Sequence, residues 1–370
     1  MTSALETPLV LIGVGGAGAI AARGVRRAYG GNMRAIAIDT DASSGAAGDI
    51  DFALLGGNRL SGRGSGGQPG AVRAAFQDDP SFLDSRFAGV RTAIVVSCLG
   101  GGTSNGATAE LLKRLHTLGI ATLVFATLPF AFEGDDRVRE AKASLGTMAA
   151  HADALAVIPL DNLLADTGTD NFQAALVRAA DTLASGVTLL WRLLEKPGYI
   201  KLDQERLRSI ITGAGLVRFA SVSASGDGRA ETVLARLRDS PLLASTGPSR
   251  PIRKILLGVL AGNDLRLSEI DVLASGVRAA FGPDAGFELG TVNDEAAFSG
   301  RLSVVALLFE EGATSSIPAT GGVRQRRRSL SAAESSLAGA NRFGGAEKTL
   351  WNDEDLDIPT YLRRNLTLDR

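Results

Sequence analysis

Val10-Leu11-Ile12-Gly13-Val14-Gly15-Gly16-Ala17-Gly18 is an apolar run that breaks into glycines and opens a helix at about Ala19. The run reads as a buried strand. Its glycines turn the chain tightly and let backbone N–H groups approach a phosphate at the positive end of the helix. The same alternation continues: Arg34 to Ile38, Ala93 to Ser97, Ala121 to Ala126 and Ala154 to Ile158 are short apolar runs, separated by amphipathic stretches such as Ala107 to Leu118. Buried parallel strands alternating with helices predict a doubly wound, Rossmann-like α/β domain with ligands at the strands' carboxyl ends.

A second glycine run, Gly100-Gly101-Gly102-Thr103-Ser104-Asn105-Gly106, again lies between a strand and a helix, so its amides and hydroxyls point at the same sheet edge. A third, Gly62-Arg63-Gly64-Ser65-Gly66-Gly67-Gln68-Pro69, suits a loop that wraps a terminal phosphate, and equally a plain surface loop. By itself the first run fits an NAD-binding unit as well, with Asp39 or Asp41 as ribose ligand. Two cradles on one sheet suit a triphosphate lying along the edge better than NAD. No Walker lysine and no histidine or cysteine nucleophile arrangement accompanies them, so phosphate binding must rely on amides.

Composition excludes several classes. The 39 basic and 40 acidic residues nearly cancel, which gives no global field for nucleic acid or a membrane surface. No apolar run reaches the ~20 residues of a membrane span, and no leader-like segment opens the chain, so the expectation is a cytoplasmic protein. Cys98, the one cysteine, has no internal disulfide partner, and the two histidines, His116 and His151, read as structural or exposed; no metal site is predicted.

The organisation read along the chain is a nucleotide-binding domain at 1–170, a connecting helix at 171–196 and a second α/β domain at 197–312. The helix, Asn171 to Leu194, stops at Lys196-Pro197-Gly198. Strands are expected at Lys254 to Leu260, Gly286 to Val292 and Arg301 to Leu308, with helices at Arg229 to Arg238 and Leu267 to Ala280. Residues 313–350, rich in Ser, Ala and Gly with a basic run Arg324 to Arg328, read as a disordered linker. In residues 351–370 the apolar Leu356, Ile358, Pro359, Tyr361 and Leu362, with Arg363, form an island of the kind that binds a partner.

Separated motifs, in one order, resemble the FtsZ family, the prokaryotic relatives of tubulin. Ile12 to Gly16 is similar to that family's first phosphate loop and Gly100 to Gly106 to its tubulin signature, GGGTGTG. Pro129-Phe130-Ala131-Phe132-Glu133-Gly134, Val157 to Asp161, Pro197 to Asp203, Ser240 to Leu243 and Leu356 to Arg364 follow in the family's order. The resemblance implies a GTPase that binds GTP and GDP, with Mg²⁺ held through the phosphates. It also implies head-to-tail polymerisation, in which one subunit's loop completes the next subunit's site, a role in bacterial cell division at the septal ring, and a C-terminal peptide that engages a membrane adaptor or division proteins. Carried over by position, Gly15, Gly16, Ala17, Gly18, Gly102, Thr103 and Ser104 would touch phosphates, with Gly100, Gly101, Asn105 and Gly106 completing the second loop. Gly64, Ser65 and Gly66 would wrap the terminal phosphate, Glu133 and Arg137 would lie about the ribose, Asp181 would read guanine, and Asp41 completes the nucleotide-binding set.

Two departures stand out. The family's catalytic loop reads NxDxxD, with two acids that position the attacking water, whereas this chain has Lys201, Asp203 and Arg206. Asp203 and Arg206 are therefore the catalytic-loop positions, and one carboxylate has become a cation. A positioned acid or base contributes ~10²- to 10⁴-fold, so hydrolysis is expected to be slower by about that factor. Arg206 is either an arginine finger acting in trans or a surface salt-bridge residue. The base pocket departs too: Ile20, Leu160 and Ala180 stand where the family carries asparagines, and Leu176 where it carries a stacking phenylalanine, leaving Asp181 as the main polar reader. A non-catalytic homologue that co-assembles with another, active FtsZ is the alternative reading.

Overall fold

The computed structural model describes residues 8–164, 172–243, 250–312, 350–351 and 354–355. The strands are β1 (Leu9–Val14), β2 (Ala35–Asp39), β3 (Asp51–Leu54), β4 (Thr92–Cys98), β5 (Ala121–Leu128), β6 (Ala154–Pro159), β7 (Gly215–Ser225), β8 (Ile252–Ala261), β9 (Gly286–Asn293) and β10 (Arg301–Glu310). They form one ten-stranded sheet in the order β3-β2-β1-β4-β5-β6-β7-β10-β8-β9. Neighbours are parallel except at β10, which runs against both β7 and β8. The helices are α1 (Gly15–Tyr29), α2 (Gly57–Leu60), α3 (Pro69–Asp78), α4 (Gly102–Thr117), α5 (Asp135–Ala149), α6 (Asp161–Leu164), α7 (Phe172–Glu195), α8 (Gln204–Ile211), α9 (Arg229–Arg238), α10 (Leu267–Phe281) and α11 (Glu295–Phe298).

The chain divides into two compact units, residues 1–320 and 321–370. In the second, Leu350–Trp351 pairs antiparallel with Glu354–Asp355. The partner-binding residues read from the sequence, Leu356, Ile358, Pro359, Tyr361, Leu362 and Arg363, lie outside the described residues, as does nearly all of the linker.

The five strands expected at the start of the chain form within a residue or two of their expected ends. β7 was not anticipated: Arg218, Ser221, Ser223 and Ser225 interrupt its apolar residues, so no continuous run marks it. It is nevertheless the joint of the molecule. Ala154, Leu155 and Ala156 of β6 pair with Gly215, Leu216 and Val217 of β7, so the later strands extend the first sheet.

Side chains alternate across the sheet, and both faces of its centre are covered, which is why β1 is apolar and buried at every position. Leu9 and Leu11 join the core shared with α1 and α7, while Val10, Ile12 and Val14 join the core under α3, α4 and α5. Helix α7, 24 residues and so ~36 Å long, buries Leu183, Val187, Leu190, Trp191 and Leu194 at helical spacing. It packs on α1 and on β7, β8, β9 and β10. Beyond its end, Gly198 passes so close to β9 that a Cβ there would overlap the Thr291 carbonyl oxygen. The Thr291 N–H donates to Ile200 O at 2.7 Å, and the Ile200 N–H donates to Thr291 Oγ1 at 2.8 Å. The segment after α7 is thereby pinned along the edge strand β9.

Arg229, 6% exposed, fastens α9 to the start of α10: its guanidinium donates to Glu269 at 2.6 and 3.0 Å and to Asp264 at 2.6 Å. Asp264 is half exposed and stays solvated without its partner, but loss of Arg229 strands the Glu269 carboxylate, so Arg229→Ala is expected to cost about 3 kcal/mol in urea unfolding. The hydrogen bond from Arg229 holds the Glu269 carboxyl below its usual 4.5. A depressed acid stabilises the fold above its unfolded value, and that contribution is lost as pH falls through its folded value. Glu269→Gln should therefore flatten the loss of stability on acidification below about pH 4.5; an unchanged acid limb would overturn this assignment.

Candidate functional site: a cleft at the carboxyl edge of the sheet

Helix α1 starts directly after β1 and three residues separate α4 from β4, and neither helix has a side-chain cap or an acidic residue in its first turn. The first N–H groups of each helix lack intrahelical partners, and each helix turns its positive end toward the strands' carboxyl ends. The two ends meet. Gly15 has φ 75°, and a Cβ there would lie 3.4 Å from the Ser104 nitrogen. Thr40, at the end of β2, ties into the same place through a 2.7 Å bond between its Oγ1 and that of Thr103. The result is a cleft of about 580 Å³, within the usual range for small-molecule sites.

Gly15, Gly16 and Ala17 of the first loop line this cleft, with Gly100, Gly101, Gly102, Thr103 and Ser104 of the second. The third loop reaches it as well. Gly62, Gly64, Gly66 and Gly67 all adopt positive φ, which folds the segment back over Gly102. A Cβ on Gly102 would stand 2.7 Å from Gly67 C and 2.8 Å from Gln68 N. Gly64 and Ser65 therefore line the cleft, and the plain surface-loop reading is set aside.

Several residues read as nucleotide-binding sit elsewhere. Gly18 faces the sheet: a Cβ would lie 2.8 Å from Val96 O, so its lack of a side chain serves the packing of α1 on β4. Asn105 is 4% exposed, and its Oδ1 accepts from the Gly100 N–H at 3.1 Å, holding the second loop from behind. Gly106 allows α3 to approach, since a Cβ would lie 2.5 Å from Pro69 O. A Cβ on Gly66 would meet nothing within 4 Å, so that glycine packs against nothing, and Asp181, exposed on α7 beside Ala180, is not among the residues that line the cleft.

Asp41, Glu133 and Arg137 do line the cleft. Asp41 accepts from the Ser43 N–H at 2.8 Å, and its contacts with Ser43 hold its carboxyl below the usual range. Glu133 Oε1 takes the Phe130 N–H at 3.0 Å, and its Oε2 takes Arg137 Nη1 at 2.6 Å. Arg137 Nε also donates to Gly100 O at 3.2 Å, which makes the pair a strut between α5 and the second loop rather than a merely solvated pair. Sequence reasoning missed Thr40, Ser44 and Thr127. Their signal was position alone, at or just beyond the carboxyl ends of β2 and β5. Asp39, 4% exposed, is held by Ser44 Oγ at 2.6 Å and the Thr40 N–H at 2.7 Å. Burial pushes the Cys98 thiol up, so this cleft residue is no thiolate nucleophile.

Leu160 lines the cleft, and Ile20 is 64% exposed on α1. Helices α1 and α7 run in the same direction: Gly24 faces Ala184, while Arg192 donates to Ala28 O and Tyr29 O at 3.2 Å. Ile20 and Ala180 each precede that contact by one turn, on the side of the cleft.

Asp203 and Arg206 lie at the opposite end of the strands. Asp203 caps α8, accepting the Arg206 N–H at 2.7 Å. Arg206 makes a two-point bond to Glu288 of β9, 2.9 Å from Nε and 2.7 Å from Nη2. That bond raises the Arg206 pKa and lowers that of Glu288. Between them, Glu205 pairs with Arg91 at 3.1 Å, and the Arg91 N–H donates to Pro8 O at 2.8 Å. Arg91 and Pro8 immediately precede β4 and β1. The segment 203–206 therefore sits at the amino ends of the strands whose carboxyl ends form the cleft, about 20 Å away at 3.3 Å per residue. Within one chain these side chains do not reach the cleft.

Residues 8–167 match the GTPase-domain model of the Tubulin/FtsZ family. Among solved structures, the chain is similar to an empty FtsZ dimer from M. jannaschii, at 24% identity and TM-score 0.75 over 82% of this chain and 89% of that one. A mutant FtsZ from the same organism gives 25% identity and TM-score 0.76 over 85% and 94%. CetZ2 from Haloferax volcanii, in a GTPγS-bound protofilament, gives 23% identity and TM-score 0.69 over 83% and 94%.

If the third loop closes on Gly102 as part of the nucleotide site, Gly102→Ala must displace it. Overpacking of this kind costs ~1–3 kcal/mol, so GTP affinity should fall about tenfold or more, with the far-UV circular dichroism unchanged. Titration with a fluorescent guanine nucleotide checks this, and full affinity in the variant would remove the third loop from the site.

Proposed function

We propose that this chain, which belongs to the Tubulin/FtsZ family through the GTPase domain at residues 8–167, binds GTP and GDP in the cleft and polymerises head to tail. The observation that carries this reading is the polarity of the subunit. The cleft lies at the carboxyl ends of β1 and β4, and Asp203 and Arg206 lie at the amino ends of the same strands. In a stack of copies, one subunit's 201–206 segment would face the next subunit's phosphates, with Asp203 orienting the water. Mg²⁺ would accompany the nucleotide, held by its phosphates.

Hydrolysis is proposed to be slow, because Arg206 supplies a cation where a second carboxylate would position water. The cation favours adhesion to the neighbour's phosphates, where one charge pair interacts by up to ~4 kcal/mol before desolvation. The cellular role we favour is a filament of the division ring in the cytoplasm, tethered to a membrane adaptor through the C-terminal peptide. No described helix is long and apolar enough to cross a membrane. A second reading, a non-catalytic filament protein that co-assembles with an active FtsZ, is favoured by the engagement of Arg206 with Glu288.

Phosphate release and light scattering, measured together with GTP, ATP and a non-hydrolysable GTP analogue, test both readings. Polymer with GTP and slow release is the expected result, and no polymer from the protein alone would favour the co-assembling reading. Arg206→Asp should raise phosphate release per polymerised subunit by at least about tenfold. A fall in that variant would instead make Arg206 a catalytic finger in trans.

A further inference from the structure

We infer that Glu288 is a positioning residue for assembly: it parks Arg206 within its own subunit and releases it to the triphosphate of a second copy, with Lys254 taking over as its counter-ion. This rests on the head-to-tail reading above.

The Glu288 carboxylate lies between two cations. Arg206 meets it through Nε at 2.9 Å and Nη2 at 2.7 Å, while Lys254 Nζ stands 3.8 Å away, beyond hydrogen-bond distance. Arg206 is the exposed member, with its side chain 52% accessible against 19% for Glu288 and 24% for Lys254. The guanidinium therefore leaves without unpacking its neighbours, and Glu288 is not left bare, because the ammonium closes the remaining gap. Asp203 makes no hydrogen bond to the guanidinium: its carboxylate takes the Arg206 backbone N–H at 2.7 Å, and its pull on the guanidinium charge is weaker than that of Glu288.

The chemistry of the incoming anion decides the exchange. An arginine fork matches phosphate oxygens as well as it matches a carboxylate. A triphosphate brings more negative charge to the interface than a diphosphate does, so it draws Arg206 from Glu288 where the diphosphate does not. The ion pair thereby makes the contact between copies sensitive to the nucleotide.

The test is the critical concentration for light scattering of the full chain, with GTP and with GDP. Wild type should assemble at a lower concentration with GTP. Glu288→Gln frees Arg206 in both states, so it should improve assembly with GDP and narrow the GTP-to-GDP ratio by about threefold or more. Lys254→Met should raise the critical concentration with GTP, because release of Arg206 then leaves Glu288 unpaired. In an Arg206→Ala background, Glu288→Gln should change nothing. An unchanged ratio in Glu288→Gln, or the same narrowing without Arg206, overturns the inference while leaving assembly intact. A lowered Tm in Glu288→Gln with the ratio preserved reduces the pair to a structural tie. A wild type that assembles with neither nucleotide overturns the head-to-tail reading itself, and this inference with it.

Discussion

Two helix N-termini with no side-chain cap share one edge of a sheet, and the rest of the site is arranged around that electrostatic fact. Each leaves N–H groups without helical partners at a positive helix end, and Gly15 lets them approach to where Ser104 would touch its missing side chain. A fold could neutralise such ends with Ser or Asp caps worth about 1 kcal/mol each. Here the cap positions are Val14 and Gly101, and the first turns carry no acid. The cleft is thus kept ready for an anion, with Thr40, Thr103 and Arg137 fixing the loops that form it.

The second constraint is polarity. Helix α7 carries the chain from one end of the sheet to the other, and Gly198 then lays it against β9. The pairing of β6 with β7 makes the sheet continuous, so the positions of the cleft and of the 201–206 segment are coupled through packed strands rather than through a linker. The subunit thus has an anion-seeking cleft at one end and, at the other, Lys201, Arg206 and Lys254 set among Asp203, Glu205 and Glu288, a polarity on which the head-to-tail proposal rests.

Charge at that second end separates this chain from the pattern it resembles. Arg206 is neither free nor simply solvated: Glu288 holds it in a two-point bond, and Lys254 waits behind. In the surface dielectric such pairs are individually modest, which leaves them open to exchange with a more highly charged partner.

The sequence by itself determined the parallel strands, because burial on both faces demands uninterrupted apolar runs, and it determined the glycine loops, because Gly15 and Gly64 need a positive φ that other residues avoid. It also made the substitution of a cation at 206 visible, since spacing from Asp203 is a property of the chain alone. Only the tertiary structure decided that β7, half-buried and broken by serines, joins the two sets of strands. Likewise it separated Gly18, Asn105 and Gly106, which pack or brace the loops, from the glycines that face the cleft. The partner of Arg206 lies 82 residues away on strand β9, and no local pattern encodes a contact that exists only once the sheet has formed.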